Sequence, residues 1–157
     1  MQLSDVIKHI RDRDYMSGVE RDQSRIKATG EVFTPTPLVQ EMLDQLPAEL
    51  FTNPCKIFLD NSCGDGQFLG EILIRKMEHG STFEQALQTI YGVDLMQDNV
   101  AECRQRLLCG RQDLYHVVKK NIVCHDALTY DYSFNGTDKN QEDLTWENLF
   151  ELEVSAH

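Results

Sequence analysis

No run in the chain approaches the roughly 18 apolar residues of a membrane-spanning helix. The start, Met1-Gln2-Leu3-Ser4-Asp5, lacks the basic and apolar stretches of a secretory leader. A cytoplasmic protein with no membrane partner is expected. Basic charge is scarce: 15 Lys and Arg stand against 26 Asp and Glu, a formal net charge of −11. Residues 1–30 hold six bases and five acids, and beyond them nine bases face 21 acids. A chain that grips DNA by itself normally shows a basic face, because phosphate neutralisation supplies much of the affinity. No such face is visible here. The five cysteines (55, 63, 103, 109 and 124) are odd in number and without CxxC spacing. They read as reduced, mostly buried thiols, with no metal site. Proline is confined to positions 35, 37, 47 and 54. No Gly-Lys-Ser/Thr occurs, which excludes a P-loop.

What is present centres on Ile57-Phe58-Leu59-Asp60-Asn61-Ser62-Cys63-Gly64-Asp65-Gly66-Gln67-Phe68-Leu69. An apolar run ends in an acid, passes two glycines one residue apart, and opens into the helical spacing of Phe68, Leu69, Ile72 and Leu73. This reads as strand, tight loop and helix. The glycines permit positive φ and close approach of a ligand. The helix start behind them offers unpaired N–H donors.

At 157 residues, 41% of them hydrophobic, the chain has the size of one domain with one core. Leu3, Val6, Ile7 and Ile10 predict an N-terminal helix over 2–15, with a loop or second helix over 16–30. Thr36 as cap and Pro37 in the first turn predict a helix over 37–46. A strand over 56–60 and a helix over 66–79 follow, the helix closing at His79-Gly80. Ser81 or Thr82 caps a short helix to about 88. Next come a strand at 90–95, a helix over 98–108 with Val100, Cys103 and Leu107 inward, and a strand over 121–128. Strands alternating with helices predict an α/β fold with a parallel sheet. The run Asp131–Gly136 reads as a turn or loop. From 130 onward seven acids face Lys139 alone. Within that tail Leu144, Trp146, Leu149, Phe150 and Leu152 suit a short amphipathic helix, packed on the domain or bound to a partner. The expected division is 1–30, 31–130 and 131–157.

Three predicted strands end in acids: Asp60, Asp94 and Asp126. In open parallel sheets ligands bind beyond the carboxyl ends of the strands, so these acids should converge on one crevice. Carboxylates there accept from an ammonium, a ribose diol or an exocyclic amine, which points to a nucleoside ligand. The dinucleotide fingerprint fits less well. Its third Gly or Ala is Leu69 here, and the next strand-end acid follows Gly64 by 30 residues rather than about 20.

Asp60-x-x-x-Gly64-x-Gly66-x-Phe68-Leu69 resembles the cofactor loop of S-adenosylmethionine-dependent methyltransferases. With Gly30-Glu31-Val32-Phe33-Thr34-Pro35 upstream, the chain resembles the N6-adenine DNA methyltransferases of restriction–modification systems over about residues 28–130. The resemblance implies a truncated Rossmann-like methyltransferase fold, a parallel sheet of about three or more strands flanked by helices, behind an N-terminal helical segment. It implies S-adenosylmethionine as cofactor, held by Phe33, Thr34, Pro35, Asp60, Asn61, Cys63, Gly64, Gly66, Phe68, Asp94, Leu95, Asp126 and Ala127. In that pattern Asp60 accepts from the methionine ammonium, and Gly64 and Gly66 let the loop wrap the ligand. Asp94 takes both ribose hydroxyls, and Asp126 accepts from the adenine amine. Phe33 or Leu95 gives apolar contact, and Thr34 reaches the methionine carboxylate. Plain core packing is the other reading of Phe33 and Phe68.

The family's Asp/Asn-Pro-Pro-Tyr/Phe motif, which holds the flipped base, is absent, since no proline follows Pro54. No catalytic residue is therefore assigned. The chain reads as the cofactor-binding half of such an enzyme, a component or fragment that is inactive without a second chain. That chain, or self-association, would cover an open sheet edge and bring any contact with DNA. The alternative is a stand-alone S-adenosylmethionine-binding, regulatory or interaction protein that transfers no methyl group.

Overall fold

A computed structural model describes residues 1–13 and 34–138. Phe33, the segment 16–30 and the amphipathic tail around Trp146 lie outside the described residues. The elements are α1 (Leu3–Asp12), α2 (Thr36–Asp44), α3 (Glu49–Thr52), β1 (Phe58–Asp60), α4 (Gln67–Glu78), α5 (Phe83–Gln88), β2 (Ile90–Asp94), α6 (Gln97–Leu108), a 3-10 turn (Gln112–Leu114), α7 (Tyr115–Asn121) and β3 (Ile122–Cys124). The three strands are parallel, in the order β1-β2-β3. This is the truncated Rossmann-like α/β arrangement. Among the described residues no helix is long and apolar enough to cross a membrane.

Local chemistry fixes most boundaries. Thr82 caps α5 in a reciprocal box, its hydroxyl accepting from Gln85 N–H while the Gln85 side chain accepts from Thr82 N–H. Such a cap contributes about 1 kcal/mol. Gly80, with φ of 106°, turns the chain out of α4. α2 begins one residue earlier than its capping pattern implies, with Pro35 at the cap and Pro37 inside the first turn. β3 is much shorter than the expected 121–128: Asn121 is the last residue of α7, and 125–128 form a turn.

Alternation along the strands separates two faces. Phe58, Ile90, Ile122 and Cys124 join the main core with Leu69, Leu73, Val100, Leu107 and Val118 from the helices. Val93 and Val123 face the other way, under Tyr130, Ala127 and Phe134. The aromatics of 130–134, isolated in sequence, close up here: Tyr91–Phe134 and Tyr130–Phe134 ring centres lie 4.8 and 5.3 Å apart. This loop covers β2 and β3. Ile57 and Leu59, on β1 and the residue before it, remain 66% and 51% exposed.

The two sheet edges differ. On the outer side of β3, Ile122 N–H donates to Val118 O, and Ile122 O accepts from Arg104 Nε and Nη2 at 3.0 and 2.6 Å. Cys124 N–H donates to Asp138 Oδ1 at 3.0 Å, and Arg104 pairs with Asp138 at 2.9 Å. That edge is closed by the end of α7 and by the side chains of Arg104 and Asp138. In β1, Phe58 N–H donates to Thr89 O at 2.9 Å, so Phe58 and Asp60 turn toward β2 and Leu59 turns its backbone outward. Neither polar backbone group of Leu59 has a partner among the described residues.

Candidate functional site

The loop between β1 and α4 folds back on β2. Cys63 N–H donates to Val93 O, and Gly66 N–H to Cys63 O, both at 3.0 Å. Gly64 N–H donates to Asp94 Oδ1 at 3.1 Å. Gly64 and Gly66 take φ of 54° and 99°, the left-handed region that costs other residues strain. A Cβ on Gly66 would lie 3.3 Å from both Arg106 Cδ and Cys103 Sγ. The loop thus rests directly on α6.

Asp94 organises the loop. Besides Gly64 N–H, its carboxylate accepts from Met96 N–H at 3.0 Å and Asn99 Nδ2 at 3.2 Å. A carboxylate offers about four acceptor positions. One stays open, so a ligand hydroxyl can join without disturbance, and a second needs one of these bonds to give way. Asp60, at the end of β1, accepts from Ser62 N–H at 3.0 Å. Burial pushes its carboxyl up, the Ser62 N–H pulls it back, and the charge of Asp94 adds to the rise. Two carboxylates that repel each other across a crevice favour a cation between them.

The three acids are staggered rather than level. Asp60 pairs with Gly92, and Asp94 pairs with Cys124, two residues before Asp126. Each acid therefore sits two residues further along in register than its neighbour, roughly 7 Å for Asp94 beyond Asp60. Asp126 accepts from Leu128 N–H at 2.9 Å and its carbonyl accepts from Thr129 and Tyr130 N–H. It begins the turn that leads to the aromatic loop.

The remaining candidates divide by surroundings. Asn61 is exposed at the loop tip, and Leu95, 42% exposed, follows β2 at the crevice rim. Cys63 is buried, with its sulfur aimed at Gly64 O at 3.7 Å, so its side chain belongs to the core. Phe68 is half-buried against the helical core. Ala127 packs with Val93, Val123 and Tyr130, and its carbonyl accepts from Tyr132 OH at 2.7 Å. Pro35 is exposed and its carbonyl opens α2. Thr34 is brought to the loop by a residue the sequence reading passed over: its N–H donates to Gln67 Oε1 at 3.2 Å.

Three further positions escaped sequence reasoning. Asn99, 1% exposed, steadies Asp94. Gly92 lies beneath the loop, where a Cβ would meet Leu69 Cδ1 at 2.8 Å and Cys63 Sγ at 2.9 Å. Arg106 is fully buried between the loop and α1. An i+5 polar residue after a strand-end acid was the available signal for Asn99; nothing local marks the other two.

A separate cavity of about 230 Å³ lies beneath α1 and α2, away from the strand ends, lined by Arg11, Gln40, Asp44, Glu71 and Arg75. Two of its acids pair with bases, Glu71 with Arg11 and Asp44 with Arg75, Glu78 lines it as well, and its walls include neither the glycine loop nor a strand end. We assign the site to the crevice. No family model matches the chain, and no curated protein or solved structure matches it.

Proposed function

We propose that this chain binds S-adenosylmethionine at the carboxyl ends of β1 and β2 and serves as the cofactor-binding half of an N6-adenine DNA methyltransferase. The observation that carries the reading is the glycine loop tied by Gly64 N–H to the Asp94 carboxylate, with Asp60 at the end of the adjacent strand, paired with Gly92. The donor set fits the cofactor in parts: Asp60 for the ammonium, the open position of Asp94 for one ribose hydroxyl, and the exposed side chain of Leu95 for the adenine. When bound, the cofactor supplies an electrophilic methyl group. The residues of this chain bind and orient it, while the groups that receive the target base come from a second chain.

The test is calorimetric titration of S-adenosylmethionine into the purified protein. Binding is expected, with Asp60→Asn weakening it by about 1–3 kcal/mol, the cost of a lost charged hydrogen bond. Absence of heat and of any thermal shift sinks the cofactor reading. Methyl incorporation into mixed DNA by the chain alone would overturn the assignment of catalysis to another chain.

The raised Asp60 pKa gives the binding a pH signature. A proton on Asp60 competes with the ligand ammonium, so affinity should fall as pH drops through a value above the ordinary aspartate range. The unliganded fold moves the opposite way. Its folded state holds the Asp60 proton more tightly than the unfolded chain, so this group adds stability as pH falls through the raised pKa. Titrations across mildly acidic pH check both slopes, and Asp60→Asn should flatten both.

The second chain has a place to dock: the bare edge of β1, flanked by Ile57 and Leu59. Adding a strand there satisfies the outward backbone groups and covers apolar surface. Leu59→Lys should leave thermal stability within about 0.5 kcal/mol, as for most exposed positions, yet abolish association with a complementing chain in analytical ultracentrifugation. Unchanged association would place the contact elsewhere.

A further inference from the structure

The side chain of Arg106 is fully buried, and its guanidinium joins two parts of the molecule far apart in sequence. Nε donates to Asp65 O, inside the glycine loop, at 2.9 Å. Nη1 donates to Ile10 O at 2.8 Å and Arg13 O at 3.0 Å, the last turn of α1 and the residue that ends it. Nη2 lies 3.8 Å from Asp65 Oδ2 and 3.7 Å from Glu102 Oε1. The stem of the same side chain supports the loop, since a Cβ on Gly66 would sit 3.3 Å from Arg106 Cδ. One planar, permanently charged fork therefore accommodates carbonyls of α1 and of the loop together, a geometry that lysine cannot copy.

Among the described residues, the hydrogen bonds that join α1 to the loop run through Arg106. Val6 and Ile10 bury completely against the helical core, while Arg11 and Arg13 reach Glu71 of α4 and Glu102 of α6. If α1 lifts, the guanidinium loses the Ile10 and Arg13 carbonyls while remaining beneath the loop. A buried cation so deprived must reorient or draw in water, and either movement shifts Asp65 and Gly66.

We propose that Arg106 is a positioning residue that makes the shape of the cofactor loop conditional on the docking of α1, so that the N-terminal helix sets the affinity of the crevice. The affinity half rests on the cofactor reading above; the coupling half does not. Because linkage is reciprocal, a ligand that orders the loop also secures α1.

Hydrogen exchange of the full-length protein, followed residue by residue, separates the two halves. Without ligand, Arg106→Lys should speed exchange at the Cys63, Gly64 and Gly66 amides at least about tenfold more than at Val123 in β3, the weight of one lost charged hydrogen bond. Val6→Ala loosens α1 without touching the loop and should speed the same loop amides. With S-adenosylmethionine, the wild type should gain protection over Leu3–Asp12, and Arg106→Lys should lose that gain and bind roughly tenfold more weakly. Glu84→Gln, whose partner Arg111 lies on neither α1 nor the loop, should change binding less than twofold. Loop amides indifferent to both Arg106→Lys and Val6→Ala would overturn the coupling. A wild type that binds the cofactor while α1 exchange stays unchanged would overturn the link to affinity. A wild type that binds nothing would remove the cofactor reading and the affinity half with it, and the ligand-free exchange would still decide the coupling.

Discussion

Asp94→Ala should lower the unfolding free energy by about 2–3 kcal/mol in denaturant titration, with no ligand present. The carboxylate accepts from Gly64 N–H, Met96 N–H and Asn99 Nδ2. Hydrogen bonds to charged groups contribute roughly 1.5–3 kcal/mol each, and donors left without partners add a desolvation cost. The bonds share one acceptor and are not additive, and water can reach the half-buried site, so the total stays near the value for one or two of them. Asp94→Asn keeps an oxygen for one set of donors and turns an amide against the other, and should fall between wild type and alanine. Cofactor binding should be lost in the alanine variant by two routes at once, through the missing acceptor and through release of Gly64. Asn99→Ala separates the routes: it leaves every ligand acceptor in place and removes only one support of Asp94. A stability of Asp94→Ala equal to wild type would mean that the loop is held by its backbone contacts alone.

Gly92→Ala should cost about 1–3 kcal/mol, the range for overpacking a filled core, and should displace the loop. The added methyl would stand 2.8 Å from Leu69 Cδ1, 2.9 Å from Cys63 Sγ and 3.0 Å from Cys63 Cβ. Leu69 is completely buried, so any movement of its side chain pushes on core neighbours. Cys63 Cβ can move only with the backbone that carries the loop, and that backbone is bonded to Val93 O. Shortening Leu69 to Val should recover part of the loss in the double variant, so that the two substitutions together cost less than their sum. Crystallography of Gly92→Ala should find Gly64 shifted away from Asp94. A variant of full stability with an unmoved loop would show that the glycine is dispensable.

Much of the scaffold could be read from sequence because its signals are local. Val6 and Ile10 of α1, Val100, Cys103 and Leu107 of α6, and the cap at Ser81 or Thr82 all lie within a few turns of the chain. α7 was missed for a physical reason. Val117 and Val118 lead through Lys119, Lys120 and Asn121 into Ile122 and Val123, with no glycine or proline between helix and strand. The Asn121 side chain donates instead to Gln88 O at 3.2 Å, a contact 33 residues distant that fixes the boundary. The stagger of the three acids was not legible either, because strand register is set by how the crossovers pack. The crevice was legible as far as Asp60, Gly64, Gly66 and Asp94. Its supports were not: Arg106 reaches 41 and 96 residues back to Asp65 and Ile10. Lys76, fully buried in α4 and donating to Lys56 O and Thr89 Oγ1 at 2.6 Å each, looks in sequence like any surface lysine.

The inequality of the two sheet edges limits how this protein can assemble. A sheet with two open sides can recruit copies at both and grow into a fibre, as edge-to-edge aggregates do. Here Arg104, Asp138 and Val118 occupy outward groups of β3, so among the described residues the open edge is that of β1. In polymer terms a unit with a single functional end terminates a chain rather than extending it. If the proposed pairing through β1 occurs, it should stop at two, with a second copy or with a different protein.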